Sequence, residues 1–143
     1  MRKGGIIFLF VTIFLSLSIR AQEVNQMPTE EEIIAVKNLA KNAEYFSLGL
    51  ENKYNENFDV AIEYFEKALK AFPEDHASMF ELSSLYRMKK LPEHGFEMIK
   101  NAVELDSTNK WYKIRLAEFY ALNNDYESFI AIYDRLLEDE PNN

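Results

Sequence analysis

The side chains that could support metal or redox chemistry in this sequence are few. There are two histidines, His76 and His94, which are far apart in the chain, and there is no cysteine. Zinc sites usually draw their ligands from closely spaced histidine and cysteine pairs, and thiol chemistry needs a cysteine. We therefore expect neither a metal site nor a disulfide.

Catalysis by acidic or hydroxyl side chains is also not indicated. A glycoside hydrolase needs two carboxylates in a cleft, one of them with a raised pKa, and no pair in the sequence stands out in this way. The sequence lacks a nucleophile elbow, the glycine-rich phosphate-binding motifs and the His-Glu-x-x-His motif. We predict a protein that is not an enzyme, with no catalytic residue and no cofactor.

Composition and charge limit the possible partners. The 143 residues are 48% apolar and 28% charged, as in a single globular domain, and the four glycines and four prolines disfavour a turn-rich β-fold. Residues 1–21 hold three of the 16 basic residues and no acidic one, so the rest of the chain has 13 basic against 24 acidic residues, a formal charge of −11. Such a surface repels nucleic acid and anionic lipid.

The N-terminal segment over 1–21 has the pattern of a signal peptide. Arg2 and Lys3 precede an apolar run over 6–19, and the small residue Ala21 suits a cleavage site. A membrane anchor is the alternative, but a helix over this run would span only about 21 Å of a hydrocarbon core of about 30 Å. The ending Arg20-Ala21-Gln22 resembles export signals of Gram-negative bacteria. We predict an exported protein of bacterial type that is cleaved, is periplasmic or secreted, and has no membrane association afterwards.

A flexible lead over 22–29 and then a long helix are predicted next. Thr29 can cap the helix, and three glutamates follow it, where the helix dipole favours negative charge. Little interrupts a helix from about 30 to 54, of which 30–41 would be an N-terminal extension. A break near Asn42 is the alternative.

Large and small apolar residues then recur at a fixed period of about 34 residues, a length typical of helical repeat proteins. The three units cover 42–75, 76–109 and 110–143, and each reads as two helices joined by a polar turn. Such alternation lets two helices lie close together. The positions expected to pack within the units are Tyr45, Leu48, Gly49, Ala61, Phe65, Ala68, Pro73, Leu82, Tyr86, Gly95, Ile99, Ala102, Leu116, Ala117, Tyr120, Tyr126, Tyr133, Leu136 and Pro141.

This pattern resembles the tetratricopeptide repeat. Gly49, Ser83 and Ala117 occupy one position of the repeat, and Pro73, Ser107 and Pro141 another. The resemblance implies an all-α solenoid of three antiparallel helix hairpins after the N-terminal extension. It also implies a non-catalytic protein that binds other proteins, as an adaptor, scaffold or assembly factor.

The last repeat departs from the pattern. Phe129 and Leu136 stand where small residues are usual, and overpacking a close helix contact costs about 1–3 kcal/mol. The final helix would therefore either cross its partner at a greater distance or be relaxed because nothing packs behind it.

The resemblance further implies a groove lined by the first helix of each repeat. By position it would contain Phe46, Leu50, Lys53, Phe80, Ser84, Arg87, Trp111, Ile114, Arg115 and Glu118. Its three aromatic residues would form a lining and its lysine and two arginines a basic line, suited to an apolar partner segment with one or two carboxylates. The alternative is that the aromatic rings pack inside the protein. Of the residues that clamp a C-terminal carboxylate in related proteins, only Arg115 fits, and Glu81 would repel such a ligand.

Three further possibilities remain open from the sequence. The last helix lacks a covering helix, so Phe129, Ile132 and Tyr133 would be exposed and could dock on another chain or on a second copy of this one. The sequence could also be the N-terminal part of a longer repeat protein, or an accessory domain of an enzyme.

Overall fold

The computed structural model describes residues 27–139, which form six α-helices and no strand. The helices are α1 (Glu30–Tyr54), α2 (Phe58–Ala71), α3 (His76–Met88), α4 (Pro92–Leu105), α5 (Lys110–Leu122) and α6 (Tyr126–Asp139). The chain divides into a unit that ends at Ala35 and a second unit that begins at Val36. The predicted signal peptide, Pro141 and most of the predicted lead lie outside the described residues. No helix within 27–139 has the length and apolar character required to cross a bilayer.

Helix α1 is continuous, as predicted, and its start is capped. The Glu32 amide donates to Thr29 Oγ1 at 3.2 Å, and the Thr29 amide donates to Glu32 Oε2 at 2.7 Å. This reciprocal arrangement is a capping box. There is no break at Asn42, which is buried and donates through Nδ2 to the Ala68 carbonyl at 3.2 Å and to Asp75 Oδ2 at 2.7 Å. A polar residue that suggested a break therefore joins α1 to the end of α2 and to the cap of α3.

The three turns inside the helix pairs share one backbone feature. Glu56, Lys90 and Asn124 have positive φ angles of 62°, 61° and 61°, and they occupy the same position in the three repeats. The left-handed conformation allows the chain to reverse between the two helices of each pair. Between pairs, Asp75 caps α3 by accepting from the Ser78 amide, and Asn109 caps α5 by accepting from the Trp111 amide.

Pro73 lies in the turn between the first two helix pairs. It was expected to pack within its repeat, but its side chain is exposed. Helix α2 ends at Ala71, and a proline lacks the amide hydrogen that would continue the helix. Its contribution is therefore to the end of α2 and not to the core.

The core consists of two clusters of buried side chains. One contains Ala61, Phe65, Leu82 and Leu85, and the other contains Met79, Ile99, Ala102, Tyr112 and Phe119. Two glycines allow close contacts with neighbouring helices. A Cβ added at Gly49 would lie 2.7 Å from the Phe65 ring, and one added at Gly95 would lie 2.7 Å from the Ser83 carbonyl oxygen.

Helix α6 packs less completely than the others. None of its described side chains is buried; Phe129, Ile132, Tyr133 and Leu136 are half-buried, and the Phe129 ring lies against that of Tyr133 at 4.8 Å. Tyr126, predicted to pack within its repeat, is instead 57% exposed. The reason is its place on the helix, because it shares an outward-facing stripe with Ile130 and Leu137, which are 54% and 65% exposed.

Candidate functional site

The predicted groove residues lie on the first helices of the three pairs, α1, α3 and α5. We call the surface they form the first-helix face. It comprises Phe46, Leu50 and Lys53 on α1, Phe80, Ser84 and Arg87 on α3, and Trp111, Ile114, Arg115 and Glu118 on α5.

The α1 residues of this face are mainly engaged inside the protein. The half-buried Phe46 ring meets Phe65 edge-to-face at 5.6 Å, and Leu50 packs against the same cluster. Lys53 Nζ lies 2.6 Å from Glu81 Oε2 in a partly buried ion pair. Phe46 therefore packs inside the protein, which was the alternative to its lining a groove.

Residues of α3 and α5 form a connected polar and aromatic group. The Arg115 guanidinium lies 5.1 Å from the centre of the Phe80 ring, donates to Ser84 Oγ, and pairs with Glu118 Oε2 at 3.1 Å. The other neighbour of Phe80 is Tyr112, at 5.1 Å between ring centres. Arginine stacked on an aromatic face and held by a carboxylate has little freedom to reorient.

Trp111 lies one helical turn before Arg115 and is the exposed aromatic residue of the face. Its side chain is 62% exposed, and Lys110 Nζ lies 5.7 Å from its ring centre. Ile114, beside it, is half-buried. Since Phe46 turns to Phe65 and Phe80 to Tyr112, the three-ring aromatic lining expected from the sequence does not form as one surface.

The expected basic line is also reduced. Lys53 and Arg115 each have a carboxylate partner, Glu81 and Glu118 respectively. The Arg87 side chain is exposed and makes no ion pair or hydrogen bond with other parts of the described chain. The charges of the first-helix face are thus mostly balanced within the protein, so it offers less attraction for an acidic ligand than the sequence suggested.

The two histidines take part in contacts between neighbouring elements. His76 Nδ1 lies 2.9 Å from the Tyr112 hydroxyl, and the His94 ring lies 5.7 Å from the Tyr86 ring. Within residues 27–139, no group of three or more histidine, aspartate or glutamate side chains is arranged to hold a metal ion.

Sequence reasoning missed a cleft of about 570 Å³ between α4, α5 and α6. We call it the α4–α6 cleft. It is lined by Val103, Ser107, Lys113, Leu116, Tyr120, Ser128, Ala131, Ile132 and Arg135. A comparison of the repeats could have indicated it, because Ser128 stands where the preceding repeat has the larger His94, and Ile132 where it has the longer Met98.

Known proteins resemble this chain in sequence and in fold. Residues 46–96 match the model of a tetratricopeptide repeat. Tetratricopeptide repeat protein 21A of Mus musculus is 23% identical over 133 residues, which is 92% of this chain and 10% of that protein, so the chain spans about a tenth of its relative's length.

Two solved structures show the same helical arrangement. The first tetratricopeptide domain of Spaghetti (RPAP3), bound to the HSP90 peptide SRMEEVD, superposes with a TM-score of 0.66 at 23% identity, covering 73% of this chain and 83% of that one. A MamA protein superposes with a TM-score of 0.63 at 24% identity, covering 71% and 55%. The chain therefore has an all-α helical-solenoid fold of the tetratricopeptide-repeat type.

Proposed function

We propose that this protein is a non-catalytic binding module that holds a segment of another protein against the first-helix face. The observation that carries the proposal is the group formed by Trp111, Arg115 and Phe80: an exposed tryptophan beside an arginine already stacked and hydrogen-bonded. Tryptophan and arginine are enriched among residues that dominate binding energy. An arginine held before binding loses less conformational entropy when a partner arrives.

The partner expected from these contacts is more apolar than the sequence suggested. Trp111 provides a large apolar surface, while the Lys53–Glu81 pair places a carboxylate on α3 close to this face. Because Lys53 neutralises that carboxylate and is itself engaged, a C-terminal carboxylate would gain little attraction there. The Spaghetti domain shares the fold and is bound to an HSP90 peptide, which supports peptide binding as a use of this architecture but does not identify the ligand of this chain.

Selection of peptides on the purified protein tests this proposal. Peptides chosen from a random displayed library would be titrated against the wild type, Trp111→Ala and the control Tyr54→Ala. Tyr54 is also an exposed aromatic residue of a first helix, 78% exposed, but it lies outside the group. We expect Trp111→Ala to weaken the selected peptides by about tenfold or more, as for a hot-spot residue, and Tyr54→Ala to leave them unchanged. Equal binding to all three proteins would refute a role for the face.

A second candidate function is docking through the outward stripe of α6, formed by Tyr126, Ile130, Tyr133 and Leu137. In the second repeat, Phe96, Ile99 and Val103 stand at the positions equivalent to Ile130, Tyr133 and Leu137. They pack against α5; the Phe96 ring, for example, lies 5.2 Å from the Tyr120 ring. The α6 stripe is therefore apolar at the positions that, on α4, are covered by the next helix.

Self-association through this stripe is the form of docking that can be tested directly. Sedimentation velocity over a range of concentrations would compare the wild type with Ile130→Glu. A concentration-dependent dimer that the substitution abolishes would support the second candidate. A wild-type monomer at all concentrations would exclude the homo-oligomer.

We also propose that residues 1–21 direct export. The two basic residues and the apolar run described above are the support. Expression of the full chain in a Gram-negative host, followed by intact-mass measurement of the periplasmic fraction, tests this. A chain that begins at Gln22 is expected, and full-length protein retained with the membranes would contradict it.

A further inference from the structure

We propose that the α4–α6 cleft is a second binding site, which takes a partner peptide segment with an aliphatic side chain next to a carboxylate. The inference does not depend on the first-helix face.

The cleft has the size and lining of a ligand site. Its volume of about 570 Å³ lies in the range of about 300–1,000 Å³ usual for such sites. Val103, Leu116, Ala131 and Ile132 provide apolar walls, and the hydroxyl groups of Ser107 and Ser128 lie among the lining residues.

The cleft and the first-helix face use opposite sides of α5. Lys113, Leu116 and Tyr120 line the cleft, whereas Trp111 and Arg115 belong to the other face. At about 100° per residue these two sets are separated by roughly half a turn of the helix. A segment in the cleft therefore cannot be an extension of one bound on the first-helix face.

The charge of the cleft contrasts with that of the whole chain. The chain carries 24 acidic and 16 basic residues, yet the lining includes Lys113 and Arg135 and no acidic residue. The Arg135 side chain is exposed and forms no ion pair or hydrogen bond within the part of the chain that the structure describes. A cation at the edge of an apolar cleft favours a ligand with a carboxylate beside its apolar group.

Several lining residues differ from their equivalents one repeat earlier, and three of these differences lie on α6 at Ser128, Ile132 and Arg135. In the second repeat, His94 stacks near Tyr86, and Met98 packs against both core clusters. In the third repeat the equivalent positions hold Ser128 and Ile132. The third difference replaces Asn101 by Arg135, which adds the positive charge. The last repeat therefore contributes both the smaller side chain at Ser128 and the positive charge at Arg135.

These differences also supply the variants for a test. The double substitution Ser128→His/Ile132→Met restores the residues of the second repeat, where His94 lies against Tyr86; the added imidazole should lie against Tyr120 in the same way and obstruct the cleft. Arg135→Asn removes the charge and leaves the space, and Arg87→Asn removes an exposed arginine on α3 as the matched control. Circular dichroism and thermal unfolding would establish that each variant is folded.

The readout is the movement of backbone amide signals in ¹H–¹⁵N NMR spectra during titration with millimolar peptide. The probes are acetyl-Leu-Glu-Leu-Glu-amide, its uncharged analogue acetyl-Leu-Gln-Leu-Gln-amide and its polar analogue acetyl-Ser-Glu-Ser-Glu-amide. With the first probe, we expect shifts around Val103, Leu116 and Ile132. The uncharged analogue and the Arg135→Asn variant should each weaken binding about two- to fivefold, as for one exposed charge pair.

Each outcome decides the proposal. Loss of binding in the Ser128→His/Ile132→Met variant, with wild-type binding in Arg87→Asn, would support it. The proposal is overturned if no shifts appear, if they map to the first-helix face, or if the polar analogue binds as well as the first probe. It is also overturned if the uncharged analogue binds as tightly as the first probe, or if the variant with the obstructed cleft binds like the wild type. Trp111→Ala should not affect this titration, so failure here is distinct from failure of the first-helix face.

Discussion

The tight contact at Gly95 allows a quantitative prediction. A methyl group added there would lie 2.7 Å from the Ser83 carbonyl oxygen and 2.8 Å from Cζ of Phe119. The first neighbour is backbone, and the second belongs to a ring that is 1% exposed, so neither can move away easily. Overpacking costs about 1–3 kcal/mol, whereas Gly to Ala in a helix gains about 1 kcal/mol. Because backbone is involved, we take the upper cost and expect Gly95→Ala to lose about 2 kcal/mol.

Urea unfolding followed by circular dichroism would measure this loss. Gly49→Ala is the matched comparison, because its added methyl would meet only the Phe65 ring, at 2.7–2.9 Å, and we expect a smaller loss. Ala61 occupies the position equivalent to Gly95 in the first repeat, which shows that a methyl is accommodated where the contact is different. If Gly95→Ala were as stable as the wild type, the separation of α3 and α4 would not be set by this residue.

Three further predictions concern polar contacts. Asn42→Ala should lower the free energy of unfolding by about 1–3 kcal/mol, because the Ala68 carbonyl and Asp75 lose a buried donor; Asn52→Ala, which breaks only a contact within α1, is the control in the same urea titration. Lys53→Met should destabilise more than Lys53→Met/Glu81→Leu, because the single change leaves a largely buried carboxylate unpaired; equal stability of the two would contradict this. Burial raises the pKa of Tyr86 most, and the hydrogen bond to Glu66 and the charge of that carboxylate raise it further. The contribution of Tyr86 to the free energy of unfolding is therefore complete below about pH 10 and is lost as the pH rises toward the folded-state pKa. Tyr86→Phe should lose less stability than the wild type at alkaline pH.

Local patterns in the sequence predicted most of the fold. The cap at Thr29 lies within one helical turn of its partner Glu32, and the repeat period placed Gly49 and Gly95 at contacts between helices. Such features depend on helix geometry and side-chain size, which can be read from a single sequence.

Features that depend on how the helices rotate against each other were not predictable in this way. Asn42 reaches Asp75, 33 residues away, and Lys53 reaches Glu81, 28 residues away. The first contact explains why α1 continues through Asn42, where a break had been the alternative. The second pairs Lys53 with a carboxylate and so removes its charge from the expected basic line. The exposure of Tyr126 was not predictable for the same reason. The helical period identifies the apolar face of α6, but not which helix will cover it.

The left-handed turn residues have a consequence for how this chain could be improved. A residue other than glycine or asparagine costs about 1–2 kcal/mol in this conformation, and glycine would add flexibility to the unfolded chain. The third repeat already has asparagine at this position, Asn124, whereas the first and second have Glu56 and Lys90. The repeat with the loosest helix packing thus contains the most relaxed turn. Copying its asparagine into the other two turns would raise the stability of the chain while leaving the first-helix face and the α4–α6 cleft untouched.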